Sequence, residues 1–288
     1  MARILAVGIA TLDIINSVEH YPAEDDEMRA VSQRLCRGGN ATNTLTVLSQ
    51  LGHECHWAGV MVDEPDARHI EVDLEKHHID THAVLRLEQG KVPTSYITRN
   101  LANGSRTIVH YRDLPEYPFE QFKQIDLSRF DWLHFEGRNV QETRQMLDWA
   151  KQHAPDLSCS IEIEKERDDI EQLFELADVL LFSRNYALSR GYQDATSFLT
   201  AMRPLSKSSK LVCAWGEDGA WAIDEQEDYH SPSFIPARVV DTLGAGDTFN
   251  AGMIDTLVRD LDLAAALEQA CRLAGQKCGH QGLDFVNG

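Results

Sequence analysis

Residues 241–252 read Asp-Thr-Leu-Gly-Ala-Gly-Asp-Thr-Phe-Asn-Ala-Gly, and this stretch joins a turn to a helix. Gly244 and Gly246 lack Cβ atoms, so the backbone N–H groups around Ala245 can point into one concavity. The apolar run that follows predicts a helix over 246–259, whose first turn adds unpaired N–H groups and a partial positive charge. The stretch therefore predicts a phosphate-like anion site, the anion nest, formed by Gly244, Ala245 and Gly246.

An acidic residue, Asp247, directly follows the anion nest. A carboxylate in this place can take the proton of a hydroxyl that attacks a phosphoryl group. An ordinary helix cap explains the same residue equally well. Two better-known glycine motifs are excluded: Phe249 stands where the dinucleotide fingerprint needs its third glycine, and no Gly-x-x-x-x-Gly-Lys-Ser/Thr sequence occurs.

Composition indicates a compact and strongly acidic protein. The chain has 288 residues, 43% of them hydrophobic, which is enough to bury a large core. Its 27 basic and 46 acidic residues give a net charge of −19, which repels nucleic acid and anionic membranes. No apolar run approaches the length of a membrane span, so we expect a cytoplasmic protein without a nucleic-acid or membrane partner.

Cysteine and histidine spacing shows no metal signature. The six cysteines are scattered without a C-x-x-C pair, which predicts reduced thiols in or near the core. The twelve histidines lack the paired Cys/His spacing of a zinc site.

The order of predicted elements indicates an α/β fold with a mostly parallel sheet. Strands and helices alternate from residue 131 onward, as expected for a sheet covered on both faces. The predicted strands are 3–10, 55–62, 81–87, 132–136, 157–163, 179–182, 211–215, 221–224 and 229–232. The predicted helices are 40–51, 66–77, 141–153, 168–176, 195–204, 246–259 and 263–278.

Two stretches interrupt this alternation. Residues 13–35 are polar and irregular, while 94–100 and 106–112 predict a hairpin that turns at Asn103-Gly104. We expect these stretches to form a small β-sheet lid. The predicted domains are a lid of residues 13–35 and 93–112 and an α/β core of residues 1–12, 36–92 and 113–288.

Two signatures resemble those of the ribokinase-like (PfkB-type) carbohydrate kinases. They are Asp241-Thr-Leu-Gly-Ala-Gly-Asp247 and Arg37-Gly-Gly-Asn-Ala-Thr-Asn43. Within that family the chain is most similar to the ketohexokinases, which phosphorylate fructose at C1, and the similarity extends from about Ile4 to Asp284. The marks of that branch are Arg37-Gly-Gly-Asn40, Gly104-Ser-Arg-Thr-Ile108, Glu136-Gly-Arg-Asn139, Cys213-Ala-Trp215 and Lys277-Cys-Gly-His-Gln-Gly282.

The resemblance implies a three-layer α/β/α core and an ATP-dependent kinase with Asp247 as general base and the anion nest as anion hole. It implies sugar contacts from Asp13, Gly39, Asn40, Asn43, Arg106 and Asp247. Several of these follow predicted strands, where ligands bind in open α/β sheets. On the residues alone, a turn acid, a helix cap with a surface amide, and a surface arginine explain Asp13, the two asparagines and Arg106 equally well.

The resemblance also implies a nucleotide site and its cofactors. The implied ATP contacts are Arg106, Arg138, Trp215, Glu217, Gly219, Ala245, Gly246, Ala274 and Cys278. Arg138 can instead pair with Glu136 or Glu164, and core packing accounts equally well for the small residues. Mg²⁺ is expected with ATP, and K⁺ is a further candidate.

One family feature is missing. The matching region, Phe182-Ser-Arg-Asn-Tyr-Ala-Leu188, lacks the Asn-x-x-Glu motif that organises Mg²⁺ in many members. The Mg²⁺ ligands are therefore not identified from the sequence, and Glu162 and Glu164 are the nearest acids.

The sequence leaves alternatives open for the function and for the assembly. The leading hypothesis is a kinase that converts fructose to fructose 1-phosphate; the alternatives are a kinase for another sugar or nucleoside and a non-catalytic sensor. A sensor has little reason to retain Asp247. The lid has open strand edges and apolar side chains, and the lids of ketohexokinases clasp in pairs, so we expect a homodimer through the lids. A monomer whose lid closes on its own sugar is the alternative.

Overall fold

The computed structural model describes residues 1–206 and 209–286. The predicted core range 113–288 includes residues 207, 208, 287 and 288, which lie outside the described part. The strands are β1 (Arg3–Val7), β2 (Thr11–Val18), β3 (Ser32–Gly38), β4 (Glu54–Ala58), β5 (Val60–Val62), β6 (Leu85–Leu87), β7 (Thr94–Asn100), β8 (Arg106–Tyr111), β9 (Trp132–Glu136), β10 (Ser158–Ile163), β11 (Val179–Ser183), β12 (Lys210–Ala214), β13 (Ala220–Ile223) and β14 (Asp228–Ser231). The helices are α1 (Asn40–Gln50), α2 (Ala67–Lys76), α3 (Phe119–Phe122), α4 (Val140–His153), α5 (Arg184–Ser189), α6 (Ala195–Met202), α7 (Ala245–Leu257) and α8 (Leu263–Cys278).

A main sheet of eight strands forms the centre of the molecule, in the order β14-β13-β12-β11-β10-β9-β1-β4. The six strands from β12 to β4 are parallel, and β13 and β14 form an antiparallel hairpin at one edge. The central strands β9, β10 and β11 are buried almost throughout, as expected for parallel strands covered on both faces. The predicted α/β fold with a mostly parallel sheet is confirmed.

A second sheet of four strands has the order β3-β2-β7-β8. The predicted hairpin is present as β7 and β8, and β7 pairs in parallel with β2, so the polar stretch after β1 and the hairpin share one sheet as expected. Strand β8 is exposed along its whole length and forms one edge. The second sheet carries only two buried isoleucines that face the core, Ile15 and Ile97.

Four local predictions need correction. The predicted strand 55–62 is split at Gly59, and β6 is shorter than the predicted strand 81–87 and pairs with β5 outside the main sheet. The predicted helix 168–176 is only a 3₁₀ turn over Ile170–Leu173, because Asp169 takes a left-handed conformation just before it. The short helices α3 and α5 were not predicted.

Helices α1, α7 and α8 pack against one another, with α7 between the other two. Residues 247–256 of α7 are all buried, including the polar Asp247 and Asn250. A Cβ on Gly252 would lie 2.7 Å from the Cα of Ala270, so glycine is what permits α7 and α8 to approach so closely. A charged residue in α7 is therefore held inside the protein, beside the sheet.

The predicted free thiols are confirmed: all six cysteines are unpaired, and four of them are buried. In the described ranges, the helices are too short or too polar to cross a lipid bilayer.

Candidate active site

Polar groups gather where β1, β9 and β10 end, next to the start of α1. Glu136, the last residue of β9, accepts N–H bonds from Ile9 at 3.0 Å and from Ala41 at 2.8 Å. Burial raises the pKa of Glu136, while the Arg138 guanidinium and the two hydrogen bonds lower it. Glu136 thus ties the loop after β1 and the first turn of α1 to the sheet edge at which α/β proteins bind ligands.

Glu162 lies opposite Glu136 in the register of β9 and β10. Its two carboxylate oxygens accept amide hydrogen bonds from Asn250 of α7 at 3.0 Å and from Asn40 of α1 at 2.9 Å. Burial raises the pKa of Glu162 well above its ordinary value, and the nearby carboxylate of Asp247 raises it further. Glu162 therefore fastens both helices to the sheet while holding an acid next to Asp247.

Asp247 lies in the first turn of α7 and is 7% exposed. Asn43 donates from Nδ2 to Asp247 Oδ2 at 2.7 Å, and no described group bonds to the other oxygen, Oδ1. Burial raises the pKa of Asp247; the Asn43 hydrogen bond and the Arg37 charge oppose this, and the carboxylates of Glu164 and Glu136 add to it. A carboxylate with a raised pKa and one free oxygen is suited to accept a proton near neutral pH.

The anion nest occupies the turn into α7. Gly244 has φ 76°, in the left-handed region that favours glycine, and α7 begins at Ala245. Gly246 lies within the first helical turn, and a Cβ added to it would meet no atom within 4 Å. Within the described chain, the N–H groups of Gly246 and Asp247 have no hydrogen-bond acceptor. Open space in front of free N–H groups at a helix start is the arrangement that binds phosphate oxygens.

A cavity of about 250 Å³ lies beside the anion nest and is lined by Asp13, Asn43 and Gly244, among others. Asp13 Oδ1 accepts a hydrogen bond from Thr11 Oγ1 at 2.9 Å, and burial raises the pKa of Asp13. A Cβ on Gly38 would lie 2.2 Å from Asp13 Oδ2, so only glycine leaves room for that carboxylate. The structure thus brings Asp13 and Asn43 together with the anion nest around one cavity.

Gly39 and Asn40 are not among the described residues that line this cavity. Gly39 has φ 102°, and a Cβ on it would lie 2.2 Å from the carbonyl oxygen of Ile9, which explains the glycine structurally. Asn40 donates to Glu162 and, at 3.3 Å, to Glu164. The two asparagines expected to serve one sugar therefore bond different carboxylates.

A second cavity, of about 510 Å³, lies between the second sheet and the segment that leads into the anion nest. Three arginines line it, namely Arg99, Arg106 and Arg238. Arg106 donates to Thr242 Oγ1 at 3.3 Å, and Arg99 donates to the carbonyl oxygen of Val240. In the described ranges, none of the three pairs with a carboxylate, so they form a local cationic surface on a protein of net charge −19. Arg99 and Arg238 were not predicted, although arginines were expected to offset the net charge.

Arg138 lies among carboxylates. Its Nε is 3.0 Å from Glu116 Oε1 and 3.7 Å from Glu136 Oε2. The structural alternative considered for this residue, pairing with acids, is thus present, although one of its two partners, Glu116, was not foreseen.

The predicted nucleotide residues fall into two groups. Trp215 is buried, and its N–H donates to the Gly219 carbonyl at 2.8 Å across the turn that carries the exposed Glu217. Ala274 and Cys278 are half-buried on α8, and the Cys278 carbonyl accepts N–H bonds from residues 240 and 241. The end of α8 is thereby joined to the segment that leads into the anion nest.

Two buried cations near the site were overlooked in the sequence, although both stand in the quoted motifs. Arg37 donates to Asn43 Oδ1 at 2.7 Å. Lys277 is fully buried, and its Nζ donates to the Asp241 carbonyl oxygen at 2.7 Å; burial lowers its pKa. Position in a motif was the only available signal, because the sequence does not show which charged side chains turn inward.

The donor set fits Mg²⁺ carried by a nucleotide better than a metal held by protein alone. Among residues 1–206 and 209–286, no three His, Cys, Asp or Glu side chains are placed to hold a metal ion. Mg²⁺ bound with ATP needs only one or two carboxylates besides phosphate and water oxygens. Glu162 and Glu164, which share the Asn40 amide, are the acids nearest to such a position.

Comparison with known proteins agrees with this geometry. Residues 1–287 match the family described as pfkB family carbohydrate kinase. The chain is 43% identical over 293 residues to the ketohexokinase of Mus musculus, covering 99% of this chain and 98% of that protein. It is 25% identical to an ATP-dependent ribose-1-phosphate kinase of Halopiger xanaduensis, covering 98% and 94% of the two chains. A crystal structure of a putative ribokinase from Agrobacterium tumefaciens superposes with a TM-score of 0.88 at 20% identity, covering 99% and 94%, and shows that the fold is ribokinase-like.

Proposed function

Because the chain belongs to the pfkB family of carbohydrate kinases and is an ATP-dependent sugar kinase, we propose that its reaction converts fructose to fructose 1-phosphate. The observation that carries this proposal is the 43% identity to mouse ketohexokinase across 99% of the chain. The buried, singly bonded carboxylate next to free helix N–H groups is the arrangement that such a transfer requires.

In the proposed mechanism, Asp247 is the general base and the anion nest is the anion hole. ATP, when bound, supplies the γ-phosphoryl group. The sugar hydroxyl lies between Asp247 Oδ1 and this group; its proton passes to Asp247 as its oxygen forms the new bond to phosphorus and the bond to the leaving phosphate oxygen breaks. The N–H groups of Gly246 and Asp247 and the positive end of α7 stabilise the charge on the phosphate oxygens.

The sugar is held in the 250 Å³ cavity. Asp13 accepts hydrogen bonds from two sugar hydroxyls, and Asn43 positions the sugar beside Asp247. The backbone at Gly39 lies close to the sugar, and Asn40 contacts it from the start of α1. Arg106 reaches the sugar and the transferred phosphoryl group from the second sheet, which acts as the lid over residues 13–35 and 93–112 and excludes water when closed.

ATP lies along the turn into α7 and across α8. The adenine ring contacts Ala274 and Cys278 on one side and the turn with Trp215, Glu217 and Gly219 on the other. Ala245 and Gly246 contact the phosphates, with Arg106 and, when released from Glu116, Arg138. The unpaired arginines of the 510 Å³ cavity support this placement, because they are the cationic groups nearest to the anion nest.

Three further properties belong to the proposal. Mg²⁺ enters with ATP, and K⁺ is a candidate activator that replacing K⁺ with tetramethylammonium in the assay would reveal. The protein is a homodimer joined through its lids. It is cytoplasmic, as the sequence predicts.

The test is an ATP-consumption panel over fructose, other ketoses, ribose, adenosine and glucose, with ¹³C and ³¹P NMR to locate the phosphate on the product. We expect the highest kcat/KM with fructose and the phosphate on C1. Preference for ribose or adenosine would overturn the acceptor, and no turnover with any acceptor would favour the sensor alternative.

A further inference from the structure

Two consecutive hydrogen bonds connect a buried arginine to Asp247. Arg37 Nη1 donates to Asn43 Oδ1 at 2.7 Å, and Asn43 Nδ2 donates to Asp247 Oδ2 at 2.7 Å. Arg37 lies on β3, Asn43 on α1 and Asp247 on α7, so the connection spans three elements. Both ends of the Asn43 amide are therefore occupied by protein groups.

The chemistry of the guanidinium decides which way this amide faces. Arginine has only donors, so the end of the Asn43 amide next to Arg37 must be the oxygen. The amide nitrogen then faces Asp247, where its N–H can donate to the carboxylate. Without Arg37, nothing in this pair of bonds would prevent the amide from rotating by 180°, which would place its oxygen against a carboxylate oxygen.

Arg37 is itself held rigidly. Its side chain is 2% exposed and donates to Asp73 Oδ2 at 2.5 Å, Thr46 Oγ1 at 2.7 Å and Thr42 Oγ1 at 3.0 Å. Burial raises the pKa of Asp73, but His77 and Arg37 outweigh this effect and bring that pKa to about 2. Asp73 thus remains ionised and balances the Arg37 charge, so the guanidinium acts on Asp247 largely through the Asn43 amide.

On the basis of the proposed function, we propose that Arg37 is a positioning residue that acts through Asn43. It fixes the amide so that one Asp247 oxygen is held and the other is left to face the acceptor hydroxyl. A base held in this way needs no reorientation before proton transfer, and a misplacement of about 1 Å can cost roughly 100-fold in rate.

The charged groups that act on Asp247 set the expected pH effect. Glu136 and Glu164 raise its pKa, Glu162 is its coupled buried neighbour, and Asn43 and Arg37 lower it. Loss of either lowering group raises the pKa of Asp247 further. The acidic limb of kcat against pH should therefore move to higher pH.

The experiment compares wild type with Arg37→Met, Asn43→Ala and the double variant, at saturating fructose and ATP, between pH 5 and 9. Each single variant should lower kcat roughly 10- to 100-fold and move the acidic limb upward by about half a pH unit or more. Arg37→Met should lower kcat less than about twofold further in the Asn43→Ala background, since its effect passes through Asn43.

Arg203→Met is the matched control for losing a partly buried guanidinium. Arg203 donates to the carbonyl oxygens of Ser209 and Ile223, at the sheet edge formed by β13 and β14. This variant should lose thermal stability while the acidic limb stays in place.

Three outcomes overturn the proposal. They are an acidic limb unchanged in Arg37→Met, additive losses of kcat in the double variant, or, if Arg37→Met does not fold, an unchanged limb in Asn43→Ala. An Asp247→Asn variant measured in parallel separates this failure from that of the proposed function. If Asp247→Asn keeps near-wild-type turnover, the general base itself is wrongly assigned.

Discussion

Asp247 combines burial, a raised pKa and one oxygen without a described partner, and these properties make its substitution informative. Asp247→Asn keeps the side-chain shape but removes the proton acceptor. We expect kcat to fall by roughly 10²- to 10⁴-fold, the usual contribution of a general base, while ATP affinity changes little because the nest N–H groups remain. Initial rates and calorimetric titration with ATP measure the two effects. Turnover close to wild type would show that another group takes the proton.

The same variant should be more stable than wild type at alkaline pH. Since the pKa of folded Asp247 is raised, its contribution to stability is fully present below the ordinary aspartate pKa and is lost as pH rises through the folded value. Asparagine is never ionised, so it avoids this loss. Thermal unfolding at pH 8 should show a higher Tm for Asp247→Asn, with the advantage shrinking toward pH 5. An advantage that grows on acidification would mean that the carboxylate is stabilised in its charged form.

Single residues also show what the sequence could and could not predict. The sequence placed Asp13, Asn43 and Asp247 near one site because each follows a strand or a glycine turn at the carboxyl edge of a parallel sheet, and the structure brings them together. It did not reveal Arg37 or Lys277 as buried, because charged side chains turn inward only when tertiary partners such as Asp73 meet them.

The helix α7 makes a prediction about the anion nest. Gly244 has positive φ, but Gly246 is helical, so Gly246→Val introduces no left-handed strain. Its branched side chain would enter the open space proposed for the phosphates. We expect a folded protein with a higher KM for ATP and a lower kcat.

The graded control is Gly246→Ala, which adds one carbon and should show a smaller change in both constants. Circular dichroism and thermal unfolding confirm folding of both variants. Wild-type kinetics in a folded Gly246→Val protein would mean that the phosphates bind elsewhere.

At the level of elements, the strand and helix alternation was predictable wherever apolar runs were long. The strand β9 and the helix α8 have the predicted bounds. The misassigned pieces are short. β6 pairs only with β5, and the turn Ile170–Leu173 follows a left-handed Asp169, so their states depend on neighbours that the local pattern does not record.

The second sheet contacts the segment before the anion nest at three consecutive residues. Arg99 reaches Val240, Arg34 lies 3.4 Å from Asp241, and Arg106 reaches Thr242. A movement of this sheet would therefore be transmitted directly to the turn into α7. This connection gives a physical reason for lid closure and phosphate binding to depend on each other.

The whole molecule leaves one apolar row unpaired. In register across the second sheet lie Leu35, Ile14, Tyr96 and Val109, and three of them are exposed, by 41%, 48% and 66% for Leu35, Tyr96 and Val109. Tyr111 extends the same face and is 51% exposed, whereas Ile108 lies on the opposite face. A second copy of the same face could cover this row as an isologous interface.

Val109→Lys should therefore convert a homodimer into a monomer, because the interface would have to bury two ammonium groups close to its symmetry axis. Val72→Lys is the matched control, since Val72 is 49% exposed on α2, outside the row. Sedimentation velocity at micromolar protein gives the masses, and assays on the same samples give kcat and KM for fructose. We expect wild type and Val72→Lys near twice 32.4 kDa and Val109→Lys near 32.4 kDa. A wild-type monomer with full kinase activity would contradict the clasped lids and leave each lid to close on its own sugar.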